Sequence, residues 1–191
     1  MDEDLIKQII ESHKKNVAEL EASSIDTLAA AARKIVEVLR EDGRIYICGN
    51  GGSAADAQHI AAELVGRFAR ERRALPAVAL TTNTSVMTSI SNDYNYESVF
   101  VRQVEALVKK GDILWAISTS GTSPNVIAAA ELAKKKGACV LAFTGKKNTK
   151  LEKMADICFC ANDESTARSQ EIHQLGYHII CDLVECSFTD S

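Results

Sequence analysis

Residues 45–56 read Ile45-Tyr46-Ile47-Cys48-Gly49-Asn50-Gly51-Gly52-Ser53-Ala54-Ala55-Asp56. A short apolar run passes through a glycine-rich turn into a segment with helical periodicity, which spells strand, tight turn, helix. Glycines let the backbone approach a ligand closely. The turn delivers the chain to a helix N-terminus, where unpaired N–H groups and partial positive charge favour an anion. Ser53 is placed to cap that helix and to add a hydroxyl donor. The same residues would also serve as a plain strand-to-helix turn, so the turn alone names no ligand. There is no Gly-Lys-Ser/Thr, and the glycine spacing does not match the dinucleotide fingerprint, so a nucleotide loses ground.

Outward from this stretch, further short apolar runs occupy residues 77–80, 113–117 and 140–143, with a weaker one at 157–160. Helical patterns lie between them at 53–67, 84–90, 98–109, 123–136 and 151–155, and a last helix covers 165–187. Strand and helix alternation predicts a three-layer α/β domain with a central five-stranded parallel sheet flanked by helices. On the N-terminal side, Leu5, Ile9, Val17 and Leu20, then Leu28, Ala31, Ile35, Val38 and Leu39, fall near helical spacing. They predict an N-terminal pair of amphipathic helices, the second stopped by Gly43 as a left-handed cap residue. The 191 residues suit a single domain, with a helical extension over 1–43 and an α/β core over 44–191.

Composition narrows the partners. Apolar residues make up 46% and charged residues 25%, with two prolines and a formal net charge of −4, the mixture of a globular protein without a basic footprint for nucleic acid. No run approaches the length of a membrane span, and Met1-Asp2-Glu3-Asp4 lacks the basic start of a signal peptide, so a cytoplasmic protein is expected. Cys48, Cys139, Cys158, Cys160, Cys181 and Cys186 mostly sit in apolar runs and form no Cys-x-x-Cys pair, which reads as reduced core thiols. With no attractive global field, an anionic substrate has to be held by local dipoles and hydroxyls.

In open parallel sheets ligands bind beyond the carboxyl ends of the strands, which directs attention to the loops. The third strand runs into Ser118-Thr119-Ser120-Gly121-Thr122-Ser123-Pro124-Asn125, five hydroxyls within six positions. Pro124 falls where a helix tolerates proline, in its first turn. Hydroxyls between a buried strand and a helix start suit phosphate oxygens. Downstream of the glycine turn, His59 and Glu63 are spaced i, i+4 and share a helix face. On the last helix Gln170, Gln174 and His178 form a polar stripe that runs into apolar residues. A locally paired surface His–Glu and a hydrogen-bonded core histidine are the plain alternatives. Aldose–ketose isomerisation needs a base and an acid, for which Glu63 and His178 are suitable types. His59, Glu63, Gln170 and His178 could also converge on a divalent metal such as zinc.

Taken together, CGNGGSAADAQHIAAEL, Asn92-Asp93, ISTSGTSPNV and RSQEIHQLGYH resemble the phosphoheptose isomerase pattern of the SIS (sugar isomerase) domain over nearly the whole chain. The resemblance implies conversion of sedoheptulose 7-phosphate to D-glycero-D-manno-heptose 7-phosphate through an enediol. This is an early step toward the heptose of lipopolysaccharide core or related glycans, with no organic cofactor. By matching position, Glu63 resembles the catalytic base and His178 the acid. Asn50, Gly51, Gly52, Ser53, Asn92, Asp93, Ser118, Thr119, Ser120, Ser123 and Gln170, with Glu63, resemble the substrate contacts. His59, Glu63, Gln170 and His178 match a zinc site present in some relatives, one ion per subunit. The family assembles as a homotetramer with active sites at subunit boundaries.

A second class shares these loops: SIS-domain proteins resembling the DnaA initiator-associating protein, which are tetrameric binding partners without catalysis. They look to have lost the acidic and imidazole side chains at the matching helix positions, whereas this chain keeps Glu63 and His178. A sugar-phosphate-sensing regulator would be expected to carry a helix-turn-helix, and none accompanies the domain.

Overall fold

The computed structural model describes residues 2–189. Among them, α1 (Glu3–Ser23) and α2 (Ile25–Arg40) precede β1 (Ile45–Gly49), α3 (Gly52–Val65), β2 (Ala77–Ala79), α4 (Thr84–Asp93) and α5 (Ser98–Leu107). There follow β3 (Ile113–Ser118), α6 (Pro124–Lys135), β4 (Cys139–Thr144), α7 (Lys150–Met154), β5 (Ile157–Cys160) and α8 (Thr166–Cys186). The strands form one five-stranded sheet in the order β2-β1-β3-β4-β5, with every neighbouring pair parallel.

Alternate residues of each strand feed opposite faces. Ile45, Ile47, Trp115, Leu141 and Phe143 pack under α2, α3 and α8, whereas Tyr46, Cys48, Leu114, Ala116 and Val140 pack under α5, α6 and α7. Burial on both faces explains why these strands are continuously apolar. The chain leaves β1 toward β2 on one side and returns to β3 on the other, so the β1 and β3 ends flank the topological switch point. Gly49 pairs with Ile117, which sets the glycine turn beside the hydroxyl-rich turn. Among the described residues no helix is long and apolar enough to cross a membrane.

Three local expectations change. Gly43 is not left-handed; Asp42 takes that role (φ 59°), and the Gly43 N–H donates to Val38 O at 2.9 Å. Gly43 is required for space, since a Cβ there would stand 2.5 Å from Gly111 O and from Val38 Cγ1. Ser53 does not cap α3: Gly51 is the N-cap and Ser53 lies buried inside the first turn. The six thiols are all free, but Cys186 is exposed and Cys139, Cys158 and Cys160 are half-buried, so only Cys48 and Cys181 are core thiols.

α1 lies against α8, where the His13 ring meets Glu171 at 2.8 Å, while Leu5, Ile6, Ile9 and Ile10 face outward. Further along α8, His173 is 0% exposed against the rings of Phe143 and Phe159, and its Nε2 lies 3.0 Å from Thr144 O. Burial pushes its pKa down to about 4, only partly offset by the carbonyl. The unfolded chain therefore binds more protons than the folded one between the ordinary value of 6.5 and about 4, so acidification costs stability. The loss should reach about 3 kcal/mol across that window, at about 1.4 kcal/mol per pH unit. Urea midpoints measured against pH should fall less steeply in His173→Gln, which is neutral and still able to donate to Thr144 O. Equal slopes would show that His173 is not the group responsible.

Candidate active site

Gly51, at φ 56°, turns the chain sharply enough for α3 to begin at Gly52 directly beyond β1. Gly52 makes room of another kind: a Cβ there would overlap the Gln170 amide, so glycine at this position lets the Gln170 side chain of α8 lie over the turn. Across the switch point, Asn50 and Asn125 bond reciprocally, Asn50 Nδ2 to Asn125 Oδ1 at 2.9 Å and Asn125 Nδ2 to Asn50 Oδ1 at 2.8 Å. The Tyr96 hydroxyl donates to Asn50 Oδ1 at 3.0 Å. The glycine turn and the hydroxyl turn are thereby fixed as one unit. Asn125 and Tyr96 are contributors that sequence reading missed, because neither carries a chemistry that spacing could flag.

In the hydroxyl turn, Ser118 Oγ lies 2.9 Å from Ser123 Oγ and 3.3 Å from Ser120 Oγ, and Ser120 Oγ accepts from Thr122 N–H at 3.2 Å. Pro124 occupies the first turn of α6, and the Ser123 hydroxyl makes no capping bond, which leaves it facing its serine neighbours. Thr119 contributes its carbonyl to Gly145 N–H. Ser118, within hydrogen-bond distance of both Ser120 and Ser123, gathers three hydroxyls beside a helix N-terminus, a donor set suited to a tetrahedral anion.

The helix that begins at the glycine turn, α3, carries the titratable group. His59 Nε2 lies 2.9 Å from Glu63 Oε1, as the i, i+4 spacing requires. α8 brings His178 alongside, ring centroids 5.0 Å apart from His59, and its Nε2 is buried with no hydrogen-bond partner among the described residues. Burial and then the neighbouring His59 hold the His178 imidazole below its ordinary pKa, so at neutral pH it is an uncharged donor and acceptor. Ligand atoms of His59, Glu63 and His178 all lie within 4.8 Å of one another. Two imidazoles, a carboxylate and an orphaned buried ring nitrogen fit a divalent ion of the zinc class.

Behind this group stand residues that motif reading passed over. The Tyr177 hydroxyl lies 3.0 Å from His59 Nδ1 and 3.4 Å from Asp56 Oδ1, and Asp56 Oδ2 is buried without a partner. Burial raises the Asp56 pKa to about 6 against the opposing Tyr177 bond. The signal was present, since Asp56, His59 and Glu63 follow i, i+3, i+7 on one face of α3.

Two expected residues stand apart. Asn92 Nδ2 donates to Asp93 Oδ1 at 2.9 Å, both side chains are exposed, and Asp93 borders a cleft with Val78, Ile90 and Gln103. No hydrogen bond ties either of them to the two turns or to the His59 group among the described residues. The segment after α4 reaches the glycine turn through Tyr96.

Comparison with known proteins gives one answer. A model of the SIS domain matches residues 8–145. The phosphoheptose isomerase of Roseiflexus sp. is 51% identical over 90% of this chain and 86% of its own. The structure of a phosphoheptose isomerase from Neisseria gonorrhoeae superposes with a TM-score of 0.90 at 42% identity, covering 96% of this chain and 98% of that one. A phosphoheptose isomerase structure from Francisella tularensis gives a TM-score of 0.93 at 35% identity, with 97% and 100% covered. The chain belongs to the phosphoheptose isomerase family of SIS-domain proteins.

Proposed function

We propose that this protein interconverts sedoheptulose 7-phosphate and D-glycero-D-manno-heptose 7-phosphate, with the phosphate at the β1/β3 switch point and the carbonyl end at the His59, Glu63 and His178 group. The observation that carries it is that one helix, α3, starts at the anion-binding turn and bears His59 and Glu63 on its flank. His59 lies seven residues beyond Gly52, about 10 Å along the axis. That reach suits an extended seven-carbon chain better than a triose.

In this reading the Ser118, Ser120 and Ser123 hydroxyls and the first turn of α3 hold the phosphate, assisted by Ser53 and Thr119. Asn50, Gly51, Gly52 and Gln170 line the sugar, with Asn92 and Asp93 at its margin. The Glu63 carboxylate takes the proton from C1 of the ketose while the C2 oxygen accepts one from His178, leaving an enediol. Glu63 then returns its proton to C2, and the O1 proton passes back to His178, which gives the aldose with no net change in the enzyme. His59, Glu63, His178 and Gln170 would hold a zinc-class ion, one per subunit, which supplies Lewis-acid polarisation of the sugar oxygens. The outward Leu5, Ile6, Ile9 and Ile10 of α1 suit burial against further copies, as in a homotetramer.

Incubation with sedoheptulose 7-phosphate in D2O, followed by NMR with and without chelator, tests the reading. The aldose should appear carrying deuterium at C2, and chelation should slow it. No turnover, with or without added zinc, would favour the non-catalytic binding class instead.

A further inference from the structure

The hydrogen bonds around His59 can be donated in two directions, and the direction that satisfies Asp56 leaves His59 Nε2 and Glu63 as facing acceptors. Tyr177, 1% exposed, has one hydroxyl proton and two partners, Asp56 Oδ1 at 3.4 Å and His59 Nδ1 at 3.0 Å. Donation to His59 would leave the Asp56 carboxylate, whose Oδ2 is already buried without a partner, with no donor among the described residues; a carboxylate only accepts, so the phenol proton belongs to Asp56 and the phenol oxygen accepts from His59. The proton of neutral His59 is then on Nδ1, and Nε2 presents a lone pair. That lone pair meets Glu63 Oε1 at 2.9 Å, a second acceptor, with the unpartnered Nε2 of His178 beside them. Acceptors facing one another at that distance form a site that a cation would satisfy.

We infer that Asp56 and Tyr177 are positioning residues: through Asp56···Tyr177···His59 they fix the His59 tautomer and ring plane, so that His59 Nε2, Glu63 and His178 Nε2 present one converging acceptor set to a divalent cation. The Tyr177 ring adds a steric constraint, standing edge-on to both imidazoles, with centroids 5.5 Å from His59 and 4.8 Å from His178. Partners behind a ligating imidazole commonly set its tautomer and basicity in this way. The inference rests on the cation-site part of the proposed function and is independent of which sugar is turned over.

Two readouts on the full chain test it. Long-range 1H–15N NMR of the metal-free protein should find His59 with its proton on Nδ1, and Tyr177→Phe should mix the tautomers. Competition against a chromophoric chelator should show zinc bound about 10–100-fold more weakly by Tyr177→Phe, the range seen when such outer partners are removed. Asp56→Asn, which keeps the size of the side chain, should weaken zinc in the same direction. A merely structural role would lower the melting temperature but leave tautomer and zinc affinity unchanged, and that result would overturn the inference. So would wild-type protein with the proton on Nε2, or without zinc binding. Loss of isomerase activity alone would count against the reaction and not against this relay, because neither readout depends on turnover.

Discussion

Glu63→Gln is expected to lower kcat by about 100- to 10,000-fold, the span supplied by a positioned base, while the KM for sugar phosphate moves far less. The substitution preserves shape and places an amide against His59 Nε2, where the carboxylate now stands at 2.9 Å. It removes the feature the base needs, a carboxylate lone pair able to take a proton. Phosphate binding is carried by the Ser118, Ser120 and Ser123 turn and the first turn of α3, on different atoms, so binding and turnover should separate. Deuterium exchange into the ketose at C1 is the direct measure of proton abstraction and should fall in parallel with kcat. Zinc affinity should fall too, so the assay needs a saturating-zinc arm. Undiminished exchange there would reject Glu63 as the base, and recovery of full activity would reduce its role to holding the ion.

The sheet and its order of elements were legible because parallel strands buried on both faces must be continuously apolar, as residues 113–117 are. The glycine turn, the hydroxyl turn and the His59–Glu63 pair were legible because each is local, with all partners within five residues. The contacts that assemble them are not local. Asn50 and Asn125 are 75 residues apart, and Tyr177 and His59 are 118 apart. No periodicity within either segment encodes such a bond. The misplaced Ser53 cap has the opposite origin: a serine at a helix start is read as a cap on composition, but Gly51 at positive φ begins the helix earlier and takes the capping position.

The largest loss of stability should come from Glu185→Ala, a residue with no place in the chemistry. Its side chain is 1% exposed and paired with Arg72, also 1% exposed, at 3.5 Å. Its carboxylate accepts from the N–H groups of Phe68 at 2.7 Å, Ala69 at 2.6 Å and Arg70. Burial alone would raise its pKa; those three N–H groups and the guanidinium outweigh burial and hold it below the ordinary carboxylate range. Truncation leaves a buried cation and three backbone donors without their acceptor, which costs about 3–5 kcal/mol, a large share of a typical total of about 5–15 kcal/mol. Urea unfolding at fixed protein concentration should report it as a shifted midpoint with unchanged slope. A loss under about 1 kcal/mol would place the pair among solvated surface contacts. Replacing Arg72 and Glu185 together by apolar residues should recover only part of the loss, because the three N–H groups of the 68–70 loop remain unpaired. The consequence for the site follows from the same guanidinium, whose Nη2 also donates to Glu63 O at 2.7 Å and whose Nη1 donates to Gly66 O at 2.7 Å. The ion pair therefore holds the last turn of α3 against α8, and weakening it should loosen Glu63 relative to His178. Turnover of Glu185→Ala should fall at temperatures where the protein is still folded.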